Sequence, residues 1–334
     1  MFDFVSFIPR AIMQGIPLLY GSTGETLTEK SGNLNLGIPG IMYVGAISGV
    51  MGAFFYETKV GAANMNGFLA VAIPLFCCLL GSFLMGLLYC FLTVSLRANQ
   101  NVTGLALTTF GVGFGNFFGG SLIKLSGSSV PAIVLSGTSS YFRKTLSAAG
   151  TTGWFGKIFL SYGFLAYLAV LIDLVAAFVL KRTRVGLHLR AVGESPNTAD
   201  AAGINVSRYK YLASAVGSGI TGVAGMYCVM EFKSGAWATA DIATIQAFGW
   251  LAVALVIFAM WKPVNLLWGS LVFGICYWAY QYLPGLLNVK IPTDLAQMLP
   301  YIITILVLII VSLRKKKENL GPASLGLTYF REER

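Results

Sequence analysis

The chain has 334 residues, 56% hydrophobic and only 11% charged, with a formal net charge of +10. A soluble domain carries about 25% charged residues, so this apolar surface does not fit one water-soluble core, and an integral membrane protein is expected. The basic excess would point to nucleic acid in a soluble protein. Here it gathers at the ends of apolar runs and reads as membrane orientation.

The start, MFDFVSFIPR, carries an acid and lacks a basic stretch followed by a small-residue cleavage site, so no cleavable signal peptide is expected. Residues 11–24 are apolar but short, a candidate half-span. Runs at 33–56, 66–96, 102–123, 211–230, 242–261, 264–283 and 295–313 are long enough to cross about 30 Å of hydrocarbon at about 1.5 Å per residue. Residues 160–180 make another span with one charge, Asp173. The pattern predicts an all-α integral membrane protein, a polytopic bundle of about eight to ten helices with broken, glycine-rich spans.

The first long run opens GNLNLGIPG, where Asn33, Asn35, Gly37, Pro39 and Gly40 concentrate polar and helix-breaking residues. Proline removes a backbone donor and disfavours helix at the residue before it. A broken helix at membrane depth is tolerated where it lines a cavity or is buried in protein, and its free N–H groups suit a polar solute. In 104–120, Gly111, Gly115 and Gly119 repeat at four-residue spacing and allow close helix approach. The five cysteines all fall in apolar runs without metal-ligand spacing and read as packing residues. Loop 124–153, rich in Ser, Thr and Gly, is too long for a simple connector. It reads either as a surface excursion or as a docking surface. Asp173 lies mid-span, where a charge is costly. Pairing with a polar partner on another helix is the first reading, and a role in transport the second.

Residues 181–210, KRTRVGLHLRAVGESPNTADAAGINVSRYK, interrupt the apolar pattern with six basic residues opposed only by Glu194 and Asp200. A short helix is marked inside: Ser195 caps its start, Pro196 suits the first helical position, and Gly203 suits the residue past its end. His188, the single histidine, reads as a solvated loop residue. Four spans separate this island from the RKKK run at 314–317, so both fall on one side. That side holds 15 of the 23 basic residues, Lys30, Arg97 and Lys262 among them, and positive charge assigns it to the cytoplasm. The N-terminus is external if 11–24 crosses fully and cytoplasmic if it is re-entrant. The organisation is one polytopic domain over 1–313, with 124–153 external and 181–210 cytoplasmic, followed by a short cytoplasmic tail at 314–334. Neither a G-x-x-x-x-G-K-[ST] loop nor H-E-x-x-H occurs, and few titratable residues fall within the expected spans. No catalytic residue, metal site or cofactor is expected.

Three segments carry a resemblance: GIPLLYGSTGETLTEKSGNLNLGIPGIMYVGA (15–46), LRAVGESPNTADAAGINVSRYKYLA (189–213) and VIFAMWKPVNLLWGSLVFG (256–274). They resemble the permease subunits of bacterial ABC importers, in the nucleoside and simple-sugar branch related to branched-chain amino acid and ribose permeases. The sequence departs from that family where Pro39 stands in place of a common acidic residue, and at Ala259 and Met260. The resemblance implies a multi-pass subunit of the bacterial cytoplasmic membrane that is not itself an enzyme. It implies two ATPase subunits, a second permease subunit related to this chain, and an external solute-binding lipoprotein as partners. The island then becomes a coupling helix seated on the ATPase, with Arg190, Glu194, Ser195, Pro196, Asp200 and Gly203 as its polar and capping residues and Ala199, Ala201 and Ala202 as its packing surface. The solute is expected to be a nucleoside. Candidates for its pathway are Asn33, Asn35, Asn116, Gln246 and Trp250, the last able to stack on a base. A simple sugar is the alternative solute, and a stand-alone secondary transporter or channel the alternative mechanism.

Overall fold

The computed structural model describes residues 4–61, 64–127, 131–145, 153–238, 242–287, 292, 298, 301–306, 309 and 321–330. The chain begins with α1 (Phe4–Glu29), α2 (Ile38–Val60), α3 (Gly67–Cys90) and α4 (Gln100–Ser126), α3 ending in a π-helical turn at Phe91–Ser95. A short strand β1 (Ala132–Val134) leads to α5 (Ser136–Phe142), α6 (Gly153–Phe159) and α7 (Phe164–Arg182). Then come α8 (Arg184–Glu194), α9 (Pro196–Ala201) and α10 (Val206–Tyr227), the last extended by a π-helical turn at Cys228–Phe232. Strand β2 (Ala236–Ala238), α11 (Ile242–Phe258) and α12 (Pro263–Leu287) follow.

The bundle is sorted by burial. The most apolar windows of α2 and α10 are 83% buried, against 28–33% for α3, α4 and α7. The buried pair, with α1, forms the centre. The outer helices present Phe76, Leu84, Phe110, Phe117, Val175 and Phe178 outward, as lipid-facing helices do when all backbone groups are bonded within the helix. Small residues set the central spacing. A Cβ at Gly45 of α2 would lie 2.5 Å from the Gly222 Cα of α10, and Gly24 of α1 meets Gly217 of α10. The expected glycine stripe of α4 is used in the same way: Gly111 lies on Gly40, Gly115 on the Tyr43 ring and Gly119 on Trp237. Contacts this close are worth most between helices in lipid, where apolar burial alone gives little drive to associate.

The half-span reading of 11–24 is corrected. α1 is one 26-residue helix running through Pro9 and Pro17, about 39 Å long at 1.5 Å per residue. It packs antiparallel on α12, with Gly15 against Ser270 and Gly274 against Ala11. Its C-terminus meets the turn that follows α11 through Trp261, and this end of the bundle, which holds Lys30, Arg97, Lys262 and the six basic residues of 181–210, is called the basic end below. The sequence reading stopped short because Glu25 and Glu29 interrupt the apolar pattern. Both are buried: the Asn35 amide donates to Glu25 Oε1 at 3.2 Å, and Trp261 Nε1 donates to Glu29 Oε2. The expectation of few titratable groups within the spans is corrected with it, since Glu25, Glu29, Asp173, Lys210 and Glu231 are all buried.

At the opposite, far end, the described part of loop 124–153 is folded. β1 pairs antiparallel with β2, Ile133 opposite Trp237. Glu57 accepts from the amides of Gly137 and Thr138 and from the Thr138 hydroxyl, at 2.8–3.2 Å. Most of the span expected at 295–313, and the RKKK run, lie outside the described residues, although 301–306 is helical.

Candidate functional site

Residues 183–205 hold two capped helices where the sequence marked one. Thr183 Oγ1 accepts the Gly186 amide at 3.2 Å and starts α8. The helix buries Gly186, Leu189, Val192 and Gly193 and leaves Arg190 and Glu194 exposed. Ser195 then starts α9: its Oγ lies 2.7 Å from Thr198 Oγ1 and accepts the Thr198 amide at 3.4 Å, with Pro196 at the first helical position. α9 ends with Gly203 at φ +80. The Gly203 amide donates to Asp200 O at 2.9 Å and the Ile204 amide to Ala199 O at 3.0 Å, the paired closing bonds of a glycine-terminated helix.

Among the described residues, only one face of α9 is packed. Ala199 is buried against Val192 and Val206, with Ile204 and Tyr209 beside it. That corrects the sequence expectation that Ala199 shares an outward packing surface with Ala201 and Ala202. Those two remain exposed with Asn197 and Thr198, while Asp200 is half-buried. His188 is also not a loop residue. It lies on α8, with Nδ1 2.8 Å from the Tyr209 hydroxyl.

Behind the pair lies a tightly bonded layer. Gly193 abuts Lys30, where a Cβ would run into the Lys30 carbonyl oxygen. Ser324 of the tail donates to Gly193 O through its amide at 3.0 Å and its hydroxyl at 2.5 Å. The Gly326 amide donates to Gly32 O at 3.2 Å, and the Ala323 amide to Glu194 Oε2 at 3.4 Å. Gln100 accepts the Leu34 amide at 2.7 Å and donates to Leu327 O at 3.2 Å. The tail segment 321–330, the turn at 30–37, α4 and the α8–α9 pair are thus one unit. Burial lowers the pKa of Lys30 within it. Glu194 opposes that shift, and Arg190 and Lys262 reinforce it.

The expected pathway residues separate into two groups. Asn33 and Asn35 lie in the 30–37 turn and are fully buried. Asn33 Nδ2 donates to Ser214 Oγ at 3.1 Å, and Asn35 Oδ1 accepts the Gly37 amide at 2.9 Å. Asn116, Gln246 and Trp250 sit on helices flanking α2. Asn116, exposed on α4, accepts from the Tyr43 hydroxyl at 3.2 Å, and the Tyr43 ring is 5.1 Å from that of Trp237. Gln246 and Trp250 are half-buried one turn apart on α11, and Gly249 beside them packs on Pro39 of α2. Asp173 is paired: Thr23 Oγ1 of α1 donates to its Oδ1 at 2.9 Å. Sequence reasoning missed Glu25, Glu29 and Lys210 as buried groups. Two carboxylates four residues apart directly after an apolar run were the available signal.

Comparison with known proteins places this architecture. The model of the family described as the permease component of branched-chain amino acid transport systems matches residues 7–308. A nucleoside ABC transporter permease protein of Lactococcus lactis subsp. cremoris is 31% identical, over 98% of this chain and 97% of its own. A guanosine ABC transporter permease protein of Bacillus subtilis is 28% identical over 90% of each chain. A protein of Haloferax volcanii named "Putative glucose ABC transporter permease protein" is 32% identical over 94% of each. With about nine-tenths of its length matched, all-α and polytopic as the fold shows, this chain belongs to the permease-component family of branched-chain amino acid transport systems.

Proposed function

We propose that this chain is the membrane-spanning subunit through which nucleosides enter the cell in an ATP-binding-cassette importer. The observation that carries the reading is the α8–α9 pair: a helix capped at both ends, fixed from behind and bare in front, at the end of the bundle rich in basic residues. A groove on a cytoplasmic ATPase subunit is the partner that such a face suits. Arg190, Glu194 and Asp200 offer it polar contacts, and Ser195, Pro196 and Gly203 hold its shape. Two ATPase subunits, a second and related permease chain and an external binding lipoprotein complete the assembly in a bacterial cytoplasmic membrane. The residues up to 313 act as one membrane domain.

The nucleoside assignment draws on the relatives named for nucleosides and for guanosine. Asn116, Gln246 and Trp250, beside α2, are the groups proposed to meet the solute, with Trp250 stacking on the base. Asn33 and Asn35 act from the buried turn behind α9, by setting where α2 begins. A simple sugar is the second reading, favoured by the relative named for glucose.

The test is uptake by proteoliposomes holding the assembled importer. Labelled guanosine should accumulate with ATP, and excess unlabelled glucose should leave that unchanged. Accumulation of labelled glucose, with none of guanosine, would transfer the assignment to sugars. Gly203→Pro removes a residue held at φ +80, which the proline ring excludes. It should cut ATP-driven uptake at least about tenfold, roughly 1.4 kcal/mol in coupling, with membrane insertion intact. Unchanged uptake in Gly203→Pro and in Glu194→Arg would remove α9 from the mechanism.

A further inference from the structure

A second polar site lies at the basic end, beside the α8–α9 pair and independent of its role. A pocket of about 210 Å³ is lined by Thr93, Val94, Arg97, Ser207, Lys210 and Tyr329. Three segments build it: the π-helical end of α3, the first turn of α10 and the tail. Among the described residues its charge is one-sided, with two cations and no carboxylate in the lining.

Lys210 is the informative residue. It is only 2% exposed, and among the described residues its ammonium has no carboxylate or hydrogen-bond partner. A lysine sunk along its length with no carboxylate beside its ammonium is costly, and such groups are ordinarily paired. Its neighbours add to the same preference. Ser207 follows the Asn205 cap of α10, whose side chain accepts the Arg208 amide at 2.9 Å. The amides of Val206 and Ser207 precede the first bonds of that 22-residue helix, and its N-terminus carries partial positive charge. Arg97 approaches from the opposite wall. Its backbone is left-handed at φ 57, and its guanidinium carbon lies 4.7 Å above the Phe330 ring. A non-glycine residue held in this region is strained, and such strain gathers at ligand sites. The Thr93 hydroxyl gives its proton to Tyr89 O at 2.8 Å, which leaves Ser207, Lys210, Arg97 and the helix amides as donors.

We infer that this pocket binds a phosphate group, with the Lys210 ammonium at its floor and Arg97 closing over it. Compact multidentate oxyanions match a point charge, a fork of guanidinium donors and a hydroxyl at a helix start together. The surface beside the pocket exposes Leu96, an apolar flank suited to an acyl chain, and basic pockets between helices at this depth bind anionic headgroups. A phosphodiester headgroup and free inorganic phosphate offer the same chemistry, and the experiment separates them.

The full-length chain is purified in detergent and titrated with inorganic phosphate, following its thermal unfolding midpoint. In parallel it is placed in phosphatidylcholine nanodiscs with and without phosphatidylglycerol, and retained lipid is counted by native mass spectrometry. Saturable stabilisation by phosphate identifies a free anion, and retention of phosphatidylglycerol without a phosphate response identifies a lipid. In either case Lys210→Met should weaken binding about tenfold or more, as loss of a charge-assisted contact does. Arg97→Gln, on an exposed residue, should weaken it severalfold, and Lys210→Arg should retain it. If Lys210→Met does not fold, Arg97→Gln paired with Ser207→Ala makes the same comparison. The proposal is overturned if neither probe binds the unaltered chain, or if binding is the same in Arg97→Gln and Ser207→Ala as in the unaltered chain.

Discussion

The two ends of the bundle use similar chemistry to opposite effect. At the far end, Glu57 gathers two amides and a hydroxyl from one loop, and β1 lies along β2. With the Ser139 hydroxyl on Met230 O, at 2.8 Å, these contacts bind the loop to the helices beneath it. At the basic end, Gly193 O takes Ser324, Gly32 O takes Gly326, and Gln100 bridges Leu34 to Leu327. Those contacts join segments from both termini and the middle of the chain. The far-end cap rests on the ends of α2 and α10, through Glu57 and Met230, whereas the basic-end contacts enclose the junction of α1 and α2. Under the coupling role proposed above, force on α9 passes to that junction through the contact of Gly193 with Lys30.

That contrast breaks most sharply at Gly193. Gly193→Val drives side-chain carbons into the Lys30 carbonyl, and overpacking of a rigid contact costs about 1–3 kcal/mol. The thermal midpoint of the purified chain should fall and uptake should be lost. An unchanged midpoint with full uptake would show that α9 and the 30–37 turn move independently. The far-end counterpart is Glu57→Ala, which strips three donors of their acceptor at a cost of about 1–3 kcal/mol. Protease cleavage within 131–145 should accelerate, while the number of ATP molecules hydrolysed per solute stays as before. A change in that ratio would make the far-end cap part of the coupling path and erase the distinction between the ends.

The sequence made some of this legible and hid the rest for identifiable reasons. The α9 caps could be read because capping is local: Ser195, Pro196 and Gly203 signal through their own backbone preferences. The long apolar helices could be read for the same reason, since each carries its hydropathy in one unbroken run. α1 was truncated because its two carboxylates find partners, Asn35 and Trp261, that are distant in sequence or beyond a turn. α8 was missed because its buried face is small, being Gly186, Leu189, Val192 and Gly193 between exposed charges. Ala199 was placed outward because a short alanine-rich helix has no periodicity long enough to show which side packs. The role of 321–330 is invisible in the sequence, since most of its bonds use backbone groups on one side or both and leave little mark on composition.

The smallest effect expected is also the most specific. Ser195→Ala removes an N-cap, worth about 0.5–2 kcal/mol, from a six-residue helix with no length to spare. α9 is still held from behind by Ala199 and by the Gly203 turn, so the protein should insert and unfold as before. What frays is the first turn, the part bearing exposed Asn197 and Thr198. ATPase activity should then persist while uptake per ATP falls severalfold. Ser195→Asp, which keeps an acceptor at the cap, should restore it. Loss of uptake and ATPase together in Ser195→Ala, without rescue by aspartate, would mean that the serine holds the fold of the basic end rather than the shape of the surface it presents.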